Sequence, residues 1–161
     1  MYEPFASGEK RSAWKRLRLF NQAARLQDKE MAGLPTYLLE HFRDPKNVGE
    51  ILNPDGVGTA CNASCGDIMQ IFIKCRGGRI SQVTFKTFGC RAAIAASSIL
   101  TEKIKGLPID EALERSDRIV EEIFSQLPEE KGPCLKMAVN ALKLAIEEYR
   151  DKRFRPRSEN V

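Results

Sequence analysis

Apolar residues recur along this chain in two rhythms, every three or four positions in some stretches and every second position in others, and each change of rhythm marks an element. Tyr37, Leu38, Leu39 and Phe42 follow Leu34-Pro35 at helical spacing, with the proline near the first turn, where its missing N–H costs little. Asp44-Pro45 ends that helix, and Pro45 to Gly58 is rich in turn formers and reads as a loop. Two strands follow. Met69, Ile71, Ile73 and Cys75 share one face of Ile68 to Cys75, Val83 and Phe85 share one face of Ile80 to Phe88, and Gly77-Gly78 supplies the tight turn between them.

After Cys90 the rhythm becomes helical through Ala92, Ala96, Ile99, Leu100 and Ile104, and ends near Gly106. Ala112-Leu113 and Ile119 to Phe124 read as two shorter helical pieces, which Leu127-Pro128 breaks. Between Cys134 and Arg150 the polar residues Lys136, Asn140, Lys143 and Glu147 occupy one face of a last helix, and Leu135, Ala138, Leu142 and Ala145 another. Residues 151–161 are polar and read as a frayed tail. At the other end, residues 1–30 set Trp14, Leu17, Phe20 and Leu26 among basic residues, the pattern of a short amphipathic helix or a solvated extension.

The 161 residues therefore divide into a basic extension (1–30), one folded domain (31–150) and a polar tail (151–161), with Met31 as an alternative start. The net charge of +4 is uneven, because residues 1–30 hold seven Lys/Arg against four Asp/Glu. The nearly neutral body lacks the basic stripe with interleaved aromatics that a nucleic acid would require. No apolar run is long enough to span a bilayer, and no signal-peptide core is present. With an odd count of five cysteines, these features predict a cytoplasmic, reduced protein with free thiols.

Three of the cysteines stand apart. Cys65 lies in Ser-Cys-Gly-Asp, Cys90 follows Phe88-Gly89 and Cys134 follows Gly132-Pro133, so each adjoins a residue that bends the backbone and each sulfur is expected to be presented rather than packed. Cys90 and Cys134 both open helices, whose N-termini favour an anion. Metal or sulfur chemistry is the expectation. Asp67, two residues beyond Cys65, is either a harder oxygen ligand beside the thiolates or a turn aspartate that bonds its own backbone. Cys75 is in phase with the core face of its strand and reads as a small buried hydrophobe. His41, the single histidine, reads as a packing or hydrogen-bonding residue, and Lys131 as either a thiolate-stabilising or a solvated lysine.

These residues stand in a longer frame: His41 to Gly49 as His-Phe-Arg-Asp-Pro-Lys-Asn-Val-Gly, Cys65-Gly66-Asp67, Phe85 to Cys90 as Phe-Lys-Thr-Phe-Gly-Cys, Ala95-Ala96-Ser97-Ser98, Thr101-Glu102 and Cys134 before a helix. Over residues 34–150 the chain resembles the IscU/NifU family of iron-sulfur cluster assembly scaffolds. The resemblance implies an α+β domain, a small antiparallel sheet with helices packed on it, that gathers the cysteines at one exposed end. It implies a scaffold rather than an enzyme, one that takes sulfur from a cysteine desulfurase, builds a labile [2Fe-2S] cluster with supplied iron and electrons, and passes it to acceptor apo-proteins. By position, Cys65, Cys90 and Cys134 match the family's cluster-binding and persulfide-accepting cysteines, and Asp67 matches the aspartate linked to cluster lability. A homodimer around a cluster is also left open, while no nucleic-acid or membrane partner is expected.

Three departures bear on this. Pro133 stands where many members have histidine, so no imidazole is available there. Leu127-Pro128-Glu129-Glu130-Lys131 carries two acids where the family's chaperone-recognition segment has proline and an apolar residue, which counts against a dedicated ATP-driven chaperone. Cys61 stands where a small residue is familiar, and is an additional candidate ligand. Two alternatives follow: a SufU-like, zinc-dependent persulfide acceptor, which Pro133 favours and the spacing of the last two cysteines disfavours, and a zinc-binding protein-interaction module.

Overall fold

The computed structural model describes residues 34–63 and 66–155, apart from the side chain of Glu130. The basic extension, Cys65 and residues 156–161 lie outside the described residues. Chain order is α1 (Thr36–Arg43), β1 (Gly56–Asn62), β2 (Asp67–Arg76), β3 (Arg79–Phe88), α2 (Arg91–Ile104), α3 (Ile109–Phe124), a 3-10 turn (Glu129–Lys131) and α4 (Gly132–Phe154). The strands form an antiparallel sheet in the order β1-β2-β3, so the domain is α+β.

Alternation sets the sheet's inner face. Met69, Ile71, Ile73, Val83 and Phe85 are almost wholly buried and meet the small-residue faces of α2 and α4. Helix α4 packs on β1 and β2, α2 packs on β3 and α4, α1 packs on α2, and α3 packs on α2 and α4. Gly77 and Gly78 have φ of 56° and 74°, the left-handed pair that a two-residue hairpin needs. The hairpin tip is tied down, with the N–H of Ile109 donating to Gly78 O and that of Gly106 to Ile80 O.

Strand β1 is a correction to the sequence reading, which placed its first residues in a loop. Its inward positions are Gly56 and Gly58, so the strand carries no apolar alternation there. A Cβ at Gly58 would lie 1.9 Å from Ala141 O, and one at Gly56 2.0 Å from Ala145 O. The glycines let strand and helix backbones approach directly.

Helix α3 is likewise one element where two were expected. The polar run Glu114 to Arg118 hides Ser116, which is fully buried and turns its hydroxyl back onto Leu113 O at 2.7 Å. The last helix continues past Arg150 to Phe154, into the segment read as a frayed tail.

Candidate metal and sulfur site

The site forms where β2 begins, β3 ends and two helices start. Asn62 pairs with Asp67 at the end of the sheet, and alternation turns Asp67 to the same face as Met69 and Ile71, leaving the carboxylate 8% exposed. Beyond Phe88 the chain passes this carboxylate at Gly89, where a Cβ would come within 3.1 Å of Asp67 Cγ. Glycine there preserves the space that the acid occupies. Cys90 is the N-cap residue of α2, and its backbone N–H donates to Asp67 Oδ2 at 3.4 Å.

Helix α4 brings in the third residue. Pro133 sits at its start, where no backbone donor is needed, and Gly132 fits beneath the Phe124 ring, to which a Cβ would approach within 3.0 Å. Cys134 follows in the first turn, 7% exposed, with its Sγ donating to Asp67 Oδ2 at 3.6 Å. Its burial corrects the expectation that all three sulfurs are presented, whereas Cys90 is half-buried.

One ligand atom each from Asp67, Cys90 and Cys134 lies within 4.8 Å of the others. A tetrahedral ion with bonds of about 2.3 Å holds its ligands roughly 3.8 Å apart, so small side-chain adjustments bring this set into coordinating range. The N-terminal ends of α2 and α4 converge here, and their partial positive charge favours an anion at this place.

Other candidates fall elsewhere. Cys61 pairs with Ile68, and Ile68 with Phe88, so all three project from the outer face of the sheet, opposite to Asp67, and all are exposed. Cys75 is half-buried against the core near the far end of β2, and burial, then the nearby Asp55 carboxylate, push its thiol up to about 11. His41 has the hydrogen-bonding character expected of it: Nδ1 is 2.8 Å from Ser98 Oγ and Nε2 is 3.4 Å from Glu102 Oε2. Lys131 is the half-buried N-cap residue of α4.

Two supports of the site escaped the sequence reading. The Ser98 hydroxyl, wholly buried on α2, also accepts the Lys46 N–H at 2.7 Å, so α1 and the loop after it are fastened to the helix that Cys90 opens. Ser97 donates to Met69 Sδ at 3.3 Å and joins the same helix to β2. The signal was the small polar set Ser97, Ser98 and Thr101, spaced to share one helix face within an otherwise apolar helix.

Comparison with known proteins agrees with this architecture. An Archaeoglobus fulgidus protein named iron-sulfur cluster assembly scaffold protein IscU 1 is 47% identical over 112 residues, covering 70% of this chain and 73% of the relative. The iron-sulfur cluster assembly enzyme IscU of Drosophila melanogaster is 39% identical over 140 residues, covering 83% and 89%. The N-terminal part of a nitrogen-fixing NifU-like protein from Brucella abortus has the same fold, with a TM-score of 0.61 at 19% identity over 73% of this chain and 94% of that one. The NifU-like N-terminal domain family matches residues 35–156, and with relatives this similar the chain belongs to that family.

Proposed function

We propose that this protein is a scaffold on which a labile [2Fe-2S] cluster is assembled as cargo and released to acceptor apo-proteins. The observation that carries the reading is the convergence of Asp67, Cys90 and Cys134 at one end of a domain of this family. Each iron of such a cluster needs two ligands beyond its bridging sulfides, four in all. Cys65, Cys90 and Cys134 supply three thiolates and Asp67 the fourth ligand. A carboxylate matches iron-sulfur chemistry less firmly than a thiolate, which suits a cluster meant to leave.

Cys61, on the outer face, is not needed in this set, and Cys61→Ser is expected to keep full cluster loading. Sulfur arrives when a thiolate, Cys134, Cys65 or Cys90, attacks the terminal sulfur of a desulfurase persulfide and the desulfurase cysteine departs as thiolate. Conversion of that sulfur to sulfide takes two electrons from a separate donor, and iron is supplied alongside. The protein's part is to hold and orient, so the role is that of a scaffold rather than an enzyme, in a reducing compartment such as the cytoplasm. The acids at Glu129 and Glu130 speak against engagement by a dedicated ATP-driven chaperone. A homodimer that shares one cluster is compatible with the proposal.

A second reading draws on the compactness of the three-ligand group, which also suits a single zinc ion: a SufU-like carrier holding zinc and persulfide without a cluster. One experiment separates the two. After anaerobic incubation with a cysteine desulfurase, cysteine, reductant and ferrous iron, the scaffold is expected to contain equal iron and acid-labile sulfide. Retained zinc with protein-bound persulfide and no sulfide would overturn the cluster reading.

A further inference from the structure

The end of the domain opposite Asp67, Cys90 and Cys134 carries a cluster of basic side chains that the proposed function does not use. The β2–β3 hairpin closes with Arg76 directly across from Arg79, a like-charge pair of a kind that destabilises a sheet when nothing neutralises it. Arg79 donates to Gly106 O at 3.2 Å, which brings the α2–α3 connection and Lys105 to the same place. Lys74 donates to a backbone carbonyl, Asn53 O, at 2.9 Å.

The end of α4 arrives at the same level. Gly56 lies against Ala145 and pairs with Ile73, so Ala145 is level with Ile73. The two turns from Ala145 to Arg153 advance about 12 Å, and the three residues from Ile73 to Arg76 about 10 Å. Arg153 is accordingly near enough to Cys75 to pull its thiol down against the larger effects of burial and Asp55. Phe154, beside it on α4, is 78% exposed. Among the described residues, Arg76, Lys105, Arg153 and Arg155 make no ion pair with a carboxylate.

We infer that this basic pole, centred on Arg76, Arg79, Lys105, Arg153 and Arg155, docks an acidic protein segment, with exposed Phe154 receiving an apolar residue of that partner. The basic side chains come from the hairpin tip, the α2–α3 connection and the end of α4, beside the Asp55 carboxylate and the Asp110–Arg150 ion pair, so they suit a compact acidic patch better than an extended phosphate backbone. Along the ten-residue β2, the pole stands about 30 Å from Asp67. A partner held there leaves the cysteine end free.

The inference rests on charge placement and not on the scaffold reading, and the test keeps the two apart. Anisotropy of a fluorescein-labelled poly-glutamate peptide with a central leucine is measured on the full chain, beside labelled duplex DNA and anionic phospholipid vesicles. Peptide binding is expected, weakened about tenfold or more in the double variant Arg76→Glu, Lys105→Glu, with cluster assembly from chemically supplied sulfide unchanged. If circular dichroism shows that variant misfolded, Arg76→Gln with Lys105→Gln is used, with an expected weakening of about threefold. No peptide binding, binding indifferent to the folded variant, or tighter binding of DNA or vesicles would overturn the inference. Peptide binding by a chain that takes up no iron and sulfide would support it while the scaffold reading falls.

Discussion

Asp67 accepts from the backbone of Cys90 and the thiol of Cys134 at once, so one carboxylate links the ends of two helices. In the proposed scaffold, replacing it with alanine removes the harder ligand and leaves the cysteines. Asp67→Ala is therefore expected to lengthen the lifetime of a loaded cluster several-fold, followed by the decay of visible absorption in the presence of an apo-acceptor. An unchanged transfer rate would remove Asp67 from the lability role. Cys75 gives a second test at this scale. With its thiol raised to about 11, only about one molecule in a thousand carries the thiolate at pH 8. Iodoacetamide should modify Cys75 long after exposed Cys61, and the Cys75 rate should climb about tenfold per pH unit until pH approaches 11, as read by mass spectrometry of labelled peptides. Sequence alone revealed Cys90 and Cys134 through the glycine and proline beside them, and it offered Asp67 as either ligand or turn residue. It did not show that the carboxylate faces inward, because the strand was read from Ile68 onward and Asp67 was left in the preceding turn, whereas β2 begins at Asp67 in phase with Met69 and Ile71.

At the scale of elements, two contacts decide whether the site is assembled. The close passage of β1 over α4 has no room for a methyl group at Gly58, so Gly58→Ala is expected to cost about 3 kcal/mol in urea unfolding, against ~1 kcal/mol for Gly77→Ala at the open hairpin. Equal losses would contradict the packing described. Ser98→Ala strips His41 Nδ1 and the Lys46 N–H of their shared partner and should cost about 1–3 kcal/mol. The same contacts explain which elements were legible. Helix α2 and strands β2 and β3 announce themselves because apolar side chains fill the core directly. Strand β1 hides because its inward positions must be glycine for a helix that is contiguous only in space. Helix α3 reads as two pieces because Ser116 occupies a core position with a hydroxyl satisfied by its own helix, a use of serine that hydrophobic periodicity does not register.

For the molecule as a whole, the family match begins at residue 35, after the basic extension. A chain starting at Met31 is expected to load iron and sulfide as the full chain does, and loss of loading on truncation would assign residues 1–30 a part in the chemistry. Within the domain the two ends differ in character, with Asp67, Cys90 and Cys134 gathered at one and Arg76, Arg79 and Arg153 at the other. That polarity was not legible from overall charge, since the body is nearly neutral and the clustering appears only when the hairpin tip and the last turns of α4 share a level.

The contact between Asp67 and Cys134 spans 67 residues of chain. A polypeptide emerging from the ribosome presents the residues of the sheet and α2 before those of α4, so Asp67 and Cys90 are made ahead of their third companion. Until the last helix docks on β1, Cys134 has no fixed place beside Asp67 and Cys90. Late closure of this contact thus acts as a timer: the group of Asp67, Cys90 and Cys134 is complete only in the step that completes the fold.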